Sequence, residues 1–227
     1  LNTLINIQGN SNEPNPYRIT ASNHALNSQL QVFTTNFSAI SMLNVNALRP
    51  LTDAEIKQYT QLPSLTSVGN PQTQEWVAQL RQKHPTLAQL ISAFNAYLIT
   101  ESFTYTLQPP LMTANMVDQF LFTHKTGFCS HYASAMGYVL RLAGYPTRLV
   151  AGYQGGEQVG TSTLMIYQYD AHAWLEVYDP DLGWIRLDPT AVIAPTRISA
   201  GLAQALTQHD ERLHLDSFSL AQYSHIP

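Results

Sequence analysis

The sequence has 227 residues, 44% of them hydrophobic, enough to close one large core or a medium one beside a smaller partner. Its 11 Lys and Arg against 15 Asp and Glu leave a formal net charge of −4, and only 11% of residues are charged. No broad basic surface therefore exists to hold a phosphate backbone, which excludes nucleic acid as a partner class.

There is one cysteine, Cys129, so no disulfide forms within the chain and any chemical role for it is as a thiol. No apolar run approaches the ~18–20 residues that cross a bilayer. The start, Leu1-Asn2-Thr3-Leu4, has neither an initiator Met nor a basic signal region, and the chain reads as a segment of something longer.

Residues 1–70 are rich in Asn, Ser, Thr and Gln, with short β-leaning runs at Tyr17-Arg18-Ile19-Thr20 and Leu30-Gln31-Val32-Phe33-Thr34, and read as an irregular β-leaning segment. Within it Thr52 stands three residues before Glu55, the spacing of a capping box, so a short helix starts there and ends before Pro63. From Gln74 apolar residues recur at helical spacing: Trp76, Val77 and Leu80, then, past His84-Pro85, Leu87, Leu90, Ile91, Phe94 and Leu98. Two packed helices are expected. A linker through Pro109-Pro110 leads to Val117, Phe120 and Leu121, a short apolar-faced helix ending near Gly127.

Ser130 to Ala143 reads as a buried helix with Ala133, Met136, Gly137 and Leu140 on one face and Gly144 placed to end it. Pro146 to Ala151 is strand-like, Gly152 to Gly160 reads as a mobile Gly-rich loop at the border of a cleft, and Tyr167 to Tyr178 alternates as a long strand. Asp179 to Gly183 is a turn and Trp184 to Asp188 the returning strand. Residues 71–200 form the main domain, and 201–227 a partly helical, polar tail.

Cys129 falls in the first turn of the buried helix, where the positive end of the helix dipole favours a thiolate. The backbone N–H of Cys129 and its neighbours are candidate oxyanion donors there. His131, two residues on, points away from Cys129 along the helix and cannot serve it. On the alternating strand His172, Trp174 and Glu176 share one face, and on the returning strand Trp184, Arg186 and Asp188 do. Across the turn Asp188 comes onto the face of His172, either diagonally or, with a bulge at Gly183, directly opposite. Singly, each residue has a plainer reading: Cys129 as a small core residue, His172 as a hydrogen-bonded strand histidine, Asp188 as a turn carboxylate before Pro189. In the order Cys, His, Asp they form a thiol nucleophile, a base and a group that orients the base.

These residues resemble the transglutaminase-like superfamily, in the branch formed by the periplasmic domains of TgpA-type bacterial inner-membrane proteins. The resemblance is carried by Gly127-Phe128-Cys129-Ser130-His131-Tyr132-Ala133, Gly144-Tyr145-Pro146-Thr147-Arg148, Asp170-Ala171-His172-Ala173-Trp174 and Gly183-Trp184-Ile185-Arg186-Leu187-Asp188-Pro189, and it spans about residues 103–198. The segments Phe103-Thr104-Tyr105-Thr106 and Val117-Asp118-Gln119-Phe120-Leu121 are similar to the family's entry segment. The resemblance implies an α+β, papain-like (transglutaminase-like) core with a nucleophile-bearing helix packed on an antiparallel sheet. It implies Cys129 as nucleophile, His172 as general base then acid, and Asp188 as orienter. It also implies acyl transfer from a glutamine carboxamide of a protein or peptide to an amine, with no cofactor. If water is the acceptor the same site makes a cysteine amidase or peptidase, and an inactive binding or scaffold module is the reading of another class. The parent would be a periplasmic domain anchored by flanking transmembrane helices.

Position 130, usually acidic in such relatives, is Ser130 here, a change expected at the entrance and not in the catalytic residues. Animal transglutaminases use a tryptophan upstream of the Cys to help hold the oxyanion, whereas Trp76, the one upstream Trp, reads as packing; the second oxyanion donor is unassigned. Gly152 to Glu157 lacks the Lys-Ser/Thr of a phosphate loop. His209, Asp210, Glu211 and His214 have loosely metal-like spacing in a polar tail and are read as a solvated face, so no metal is expected. Trp174 and Trp184 are candidate cleft walls or core residues, and Asp170 either tunes the site or faces solvent.

Overall fold

The computed structural model describes residues 49–63 and 69–199, together with strands at 3–9, 17–19, 25–27 and 37–42. The chain divides into two units, Leu1–Pro50 with Asp181–Gly183, and Leu51–Pro180 with Trp184–Pro227. The first contains β1 (Thr3–Gly9) paired antiparallel with β4 (Phe37–Met42), and β2 (Tyr17–Ile19) paired antiparallel with β3 (Ala25–Asn27). The expected strand at Tyr17 is β2; the one at Leu30 to Thr34 and the tail at 201–227 lie outside the described residues.

The second unit opens with α1 (Asp53–Thr60), whose capping box is the expected one: Thr52 Oγ1 accepts from the Glu55 N–H, and the Thr52 N–H donates to Glu55 Oε2. The apolar repeat becomes α2 (Pro71–Lys83) and α3 (Leu87–Thr100), broken at His84-Pro85 and restarted by a second box, Thr86 with Gln89. Beyond the proline linker come α4 (Met116–Asp118), which runs on as a π-helical stretch over Gln119–His124, and then α5 (Cys129–Leu142). The wider turn over Gln119–His124 ends the helix at Lys125, two residues short of the expected Gly127. It leaves Thr126–Gly127 free to form β6, which pairs in parallel with β5 (Thr104–Tyr105).

Two short helix starts hold each other. Asn70 Oδ1 accepts from the N–H groups of Val117 and Asp118, and the Asp118 carboxylate accepts from the N–H groups of Gln72 and Thr73 and from the Thr73 hydroxyl. Donors that a helix N-terminus leaves orphaned are thus met by a side chain from a segment some 45 residues away in sequence.

A three-stranded sheet in the order β11-β10-β7 lies against α5. It is built from β7 (Thr147–Tyr153), β10 (Ala171–Asp179) and β11 (Gly183–Leu187), with β7 and β10 antiparallel and His172 opposite Gly152. Leu175 and Val177 bury against Tyr132, Ala133, Met136, Val139 and Leu140 of α5, and α2 and α3 add Val77, Leu90, Phe94 and Leu98 to the same core. Two expectations change. The segment Gly152 to Gly160 is not an irregular loop: β7 runs through Tyr153, and β8 (Glu157–Val159) forms a hairpin with β9 (Thr163–Met165). Alternation from Tyr167 also overstated the next strand, because Gln168–Asp170 is a 3-10 turn and β10 starts at Ala171. The last elements are α6 (Thr190–Ile193) and α7 (Pro195–Ser199). Among the described residues no helix is long and apolar enough to cross a membrane.

Candidate active site

Cys129 is the first residue of α5 and is buried, 9% exposed. The approach to it is tight at Gly127, where an added Cβ would stand 2.8 Å from the Cβ of His131 and 3.1 Å from the Phe120 ring. Only a residue without a side chain lets β6 turn directly into the helix that presents the sulfur. His131 folds back on this turn: the Phe128 N–H donates to its Nδ1, and burial drops its pKa to about 4, so it is a neutral capping group and not a base.

His172 sits on β10, 3% exposed, and its Nε2 lies 2.8 Å from Asp188 Oδ2, just past the end of β11. Nε2 is thereby committed to the carboxylate, which leaves Nδ1 for the Cys129 thiol with which the ring interacts. Burial by itself would raise the thiol's pKa. The His172 imidazole, the Ala173 N–H and the positive charge of Arg197 outweigh it and hold the thiol below its ordinary value. For His172 burial works downward, but Asp188 and Cys129 outweigh it and hold the imidazole above its ordinary value. Both shifts favour the same charge state, thiolate beside imidazolium.

The face that carries His172 is ordered by its neighbours. The Trp174 ring stacks alongside the imidazole at 6.2 Å, and the Arg186 guanidinium covers the indole at 4.3 Å. Arg186 also reaches Asp188 Oδ2 at 3.4 Å and donates to Gln154 Oε1 at 2.7 Å. The contacts follow the direct pairs His172 with Asp188 and Trp174 with Arg186, the opposed arrangement of the two anticipated from sequence. Trp184 is not beside this pair: it packs against Arg148, Tyr59 and Tyr178 further along the sheet, where Arg148 is bound to Glu176. Trp76 packs with Phe94, Tyr97 and Phe122, as a core residue does. Asp170 does not face solvent; its carboxylate accepts from the Tyr167 N–H and closes the 3-10 turn before β10.

Two groups at the sulfur were not singled out from the sequence. The Tyr105 hydroxyl lies against the Cys129 N–H and the Arg197 guanidinium. Arg197, on α7, is 0% exposed and donates to the carbonyl oxygen of Ala171 at 2.8 Å. Tyr105 lies inside a quoted family block, but its position beside Cys129 depends on the parallel pairing of Thr104-Tyr105 with Thr126-Gly127, which no local pattern announces. The Cys129 N–H, one of the backbone groups expected as oxyanion donors, faces this hydroxyl.

Residues 74–189 match the family model described as the transglutaminase-like superfamily. Over 160 residues the chain is 46% identical to the protein-glutamine gamma-glutamyltransferase of Pseudomonas aeruginosa, an alignment covering 70% of this chain and 24% of that protein. It is 39% identical over 120 residues to the uncharacterized protein YebA of Bacillus subtilis, covering 49% of this chain and 16% of that one. Among solved structures, the crystal structure of the periplasmic domain of TgpA from Pseudomonas aeruginosa superposes with a TM-score of 0.75 at 38% identity, over 87% of this chain and 67% of that chain. The same domain bound to ethylmercury gives a TM-score of 0.72 over 85% of this chain. The chain thus spans about a quarter of the length of the gamma-glutamyltransferase it matches. With half of its residues under the family model and a mixed helix-and-sheet core shared with a solved relative, the chain belongs to the transglutaminase-like superfamily.

Proposed function

We propose that this domain is a thiol acyltransferase in which Cys129 is the nucleophile, His172 the general base then acid, and Asp188 the group that orients the imidazole. One observation carries the reading: a buried thiol held below its ordinary pKa faces an imidazole held above its own, whose far nitrogen is fixed 2.8 Å from a carboxylate. The sulfur attacks the carboxamide carbon of a glutamine side chain. As the C–N bond breaks, the His172 Nδ1 proton passes to the departing ammonia and a thioester remains on Cys129. An amine then attacks the thioester, His172 takes its proton, and the new amide leaves as the thiolate re-forms. The name of the Pseudomonas relative supports a glutamine donor and an amine acceptor, and the TgpA domain supports a periplasmic location in a membrane-anchored parent protein.

The test is to mix the domain, or its Cys129→Ala variant, with a glutamine-containing donor protein and a labelled primary amine, following amine incorporation and ammonia release by mass spectrometry. Incorporation that disappears in the variant is expected. Cys129-dependent ammonia release without incorporation would replace the transferase with an amidase or peptidase, and no Cys129-dependent product across varied donors, with the thiol still alkylated by iodoacetamide, would leave a binding module.

A further expectation concerns Gly152, opposite His172 on β7. A Cβ there would stand 2.8 Å from the Trp174 ring, so Gly152→Ala pushes the indole against the imidazole it stacks on. Overpacking of this kind costs ~1–3 kcal/mol, and the displaced base is expected to slow transfer about 10- to 100-fold. Paired melting and initial-rate measurements check it; an unchanged rate would mean that Trp174 does not hold His172.

A further inference from the structure

The acyl-transfer chemistry leaves the negative charge on the substrate's carbonyl oxygen without an assigned donor, and Trp76 is occupied elsewhere in the core. We infer that Tyr105 fills this role: its O–H donates to the carbonyl oxygen as charge builds there, with Arg197 positioning the phenol from behind. The inference rests on the acyltransferase reading of the same site.

Placement comes first. Parallel pairing sets Tyr105 beside Gly127, two residues before Cys129, and the Thr106 N–H donates to Gly127 O at 2.9 Å. The phenol ring stacks on Tyr132 at 6.4 Å and 10°, and the Tyr132 hydroxyl donates to Thr104 O at 2.6 Å, so the strand and its side chain are both fixed against α5. Behind the hydroxyl, Arg197 is fully buried and fixed by the carbonyl oxygens of Ala171, Asp170 and Gln154. The carbonyl of Ala171 belongs to the residue before His172, so one guanidinium indexes the start of the base-bearing strand and the phenol together.

Donor and acceptor roles follow. The groups nearest the Tyr105 hydroxyl, the Cys129 N–H and the Arg197 guanidinium, are both donors and present it with no acceptor. Its own proton is left for an acceptor, and the acceptor that arrives beside the sulfur is the acyl oxygen. Burial holds the phenol well above its ordinary pKa, so it stays a protonated donor across the working range. On attack the S–C bond forms and the carbonyl π pair moves to oxygen, which accepts the Tyr105 hydrogen bond. On collapse the π bond re-forms as the C–N bond breaks and the amine leaves with the His172 proton. Tyr105 keeps its proton throughout, and Arg197 acts only through it and through the local field.

Acylation and alkylation of Cys129 separate this role from any other. Attack on p-nitrophenyl acetate passes through an oxyanion; attack on iodoacetamide, a displacement at a saturated carbon, does not. In the 227-residue chain, Tyr105→Phe is expected to slow acylation of Cys129, followed by intact mass, about 100-fold. The rate and pH profile of iodoacetamide alkylation should stay at the wild-type values, which also reports a folded site. Arg197→Lys should slow acylation by less, and its effect should shrink in the Tyr105→Phe background to the part carried by Ala171 and the base-bearing strand; an effect of equal size in both backgrounds would mean that Arg197 does not act through the phenol. Unchanged acylation in Tyr105→Phe, an equal loss in both reactions, or a wild-type chain that the ester does not acylate would each overturn the assignment. A chain that the ester acylates with Tyr105 dependence, but that moves no acyl group from glutamine to amine, would count against the transferase reading alone.

Discussion

His172→Gln is expected to lower acyl transfer by about 10⁴-fold or more, the scale on which catalytic units fail when their base is removed, and to move the pH dependence of Cys129 alkylation upward. In the wild-type chain the thiol's pKa lies below its ordinary value, so the thiolate persists below the pH at which a free thiol is protonated, and alkylation is lost only as pH falls through that lowered value. Burial is the largest influence on the thiol and acts in the opposite direction. Without the imidazole, burial is less opposed, the thiol titrates higher, and alkylation at neutral pH slows. The imidazole gives the other limb. Its raised pKa keeps the proton needed by the departing amine into pH values where a free histidine has lost it, and transfer declines as pH rises through the raised value while alkylation does not. Iodoacetamide rates and transfer rates measured across the same pH series separate the two limbs. A His172→Gln profile that superimposes on the wild type would remove His172 from the thiol's environment.

The helices and the Cys129, His172 and Asp188 positions were legible because local rules govern them. The capping box at Thr52 acts over three residues, and the alternation that places His172 and Asp188 on one face is a property of two strands joined by a short turn; the second box, at Thr86, obeys the same rule but was not read from the sequence. What the pattern missed is partly short-range turn chemistry and partly long-range pairing. The Gly-rich stretch after Gly152 pairs with itself as β8 and β9, although its glycines point to a loop. Tyr167 to Asp170 alternates like a strand, yet the Asp170 carboxylate bonds back to the Tyr167 N–H and turns the chain before β10. Tyr105 and Arg197 meet at Cys129 from distant parts of the chain, 24 residues before it and 68 after it by their numbering. No periodicity joins them; the parallel β5–β6 pair and the burial of Arg197 do. Trp184 shared the expected face with Asp188 but lies four residues nearer the turn, so it meets Arg148 and not the imidazole.

The largest effect on stability is expected from Asp118→Ala, which stands eleven residues before Cys129 and takes no part in the proposed chemistry. The Asp118 carboxylate accepts from the Thr73 N–H at 2.8 Å, from the Gln72 N–H at 3.1 Å and from the Thr73 hydroxyl, and Thr73 is 0% exposed. Alanine removes every acceptor at once and leaves Thr73 donors that water cannot reach. Hydrogen bonds to a charged group contribute about 1.5–3 kcal/mol each and are not additive within one cluster, so a loss of about 3–4 kcal/mol is expected. For a domain of this size, that corresponds to a melting temperature lower by roughly 6–16 °C. Asp118→Asn keeps one oxygen for the Thr73 donors but turns an amide N–H₂ toward another backbone donor, and should fall between the two. Because Asn70 returns the favour by capping Val117 and Asp118, Asn70→Ala should destabilise less than additively with Asp118→Ala in a double-mutant cycle. Below the melting transition, alkylation of Cys129 should be unchanged in all three variants, since the sulfur is positioned by β6, α5 and β10. Loss of thiol reactivity in a still-folded Asp118→Ala chain would instead mean that the packing of α2 on α4 reaches the site through α5.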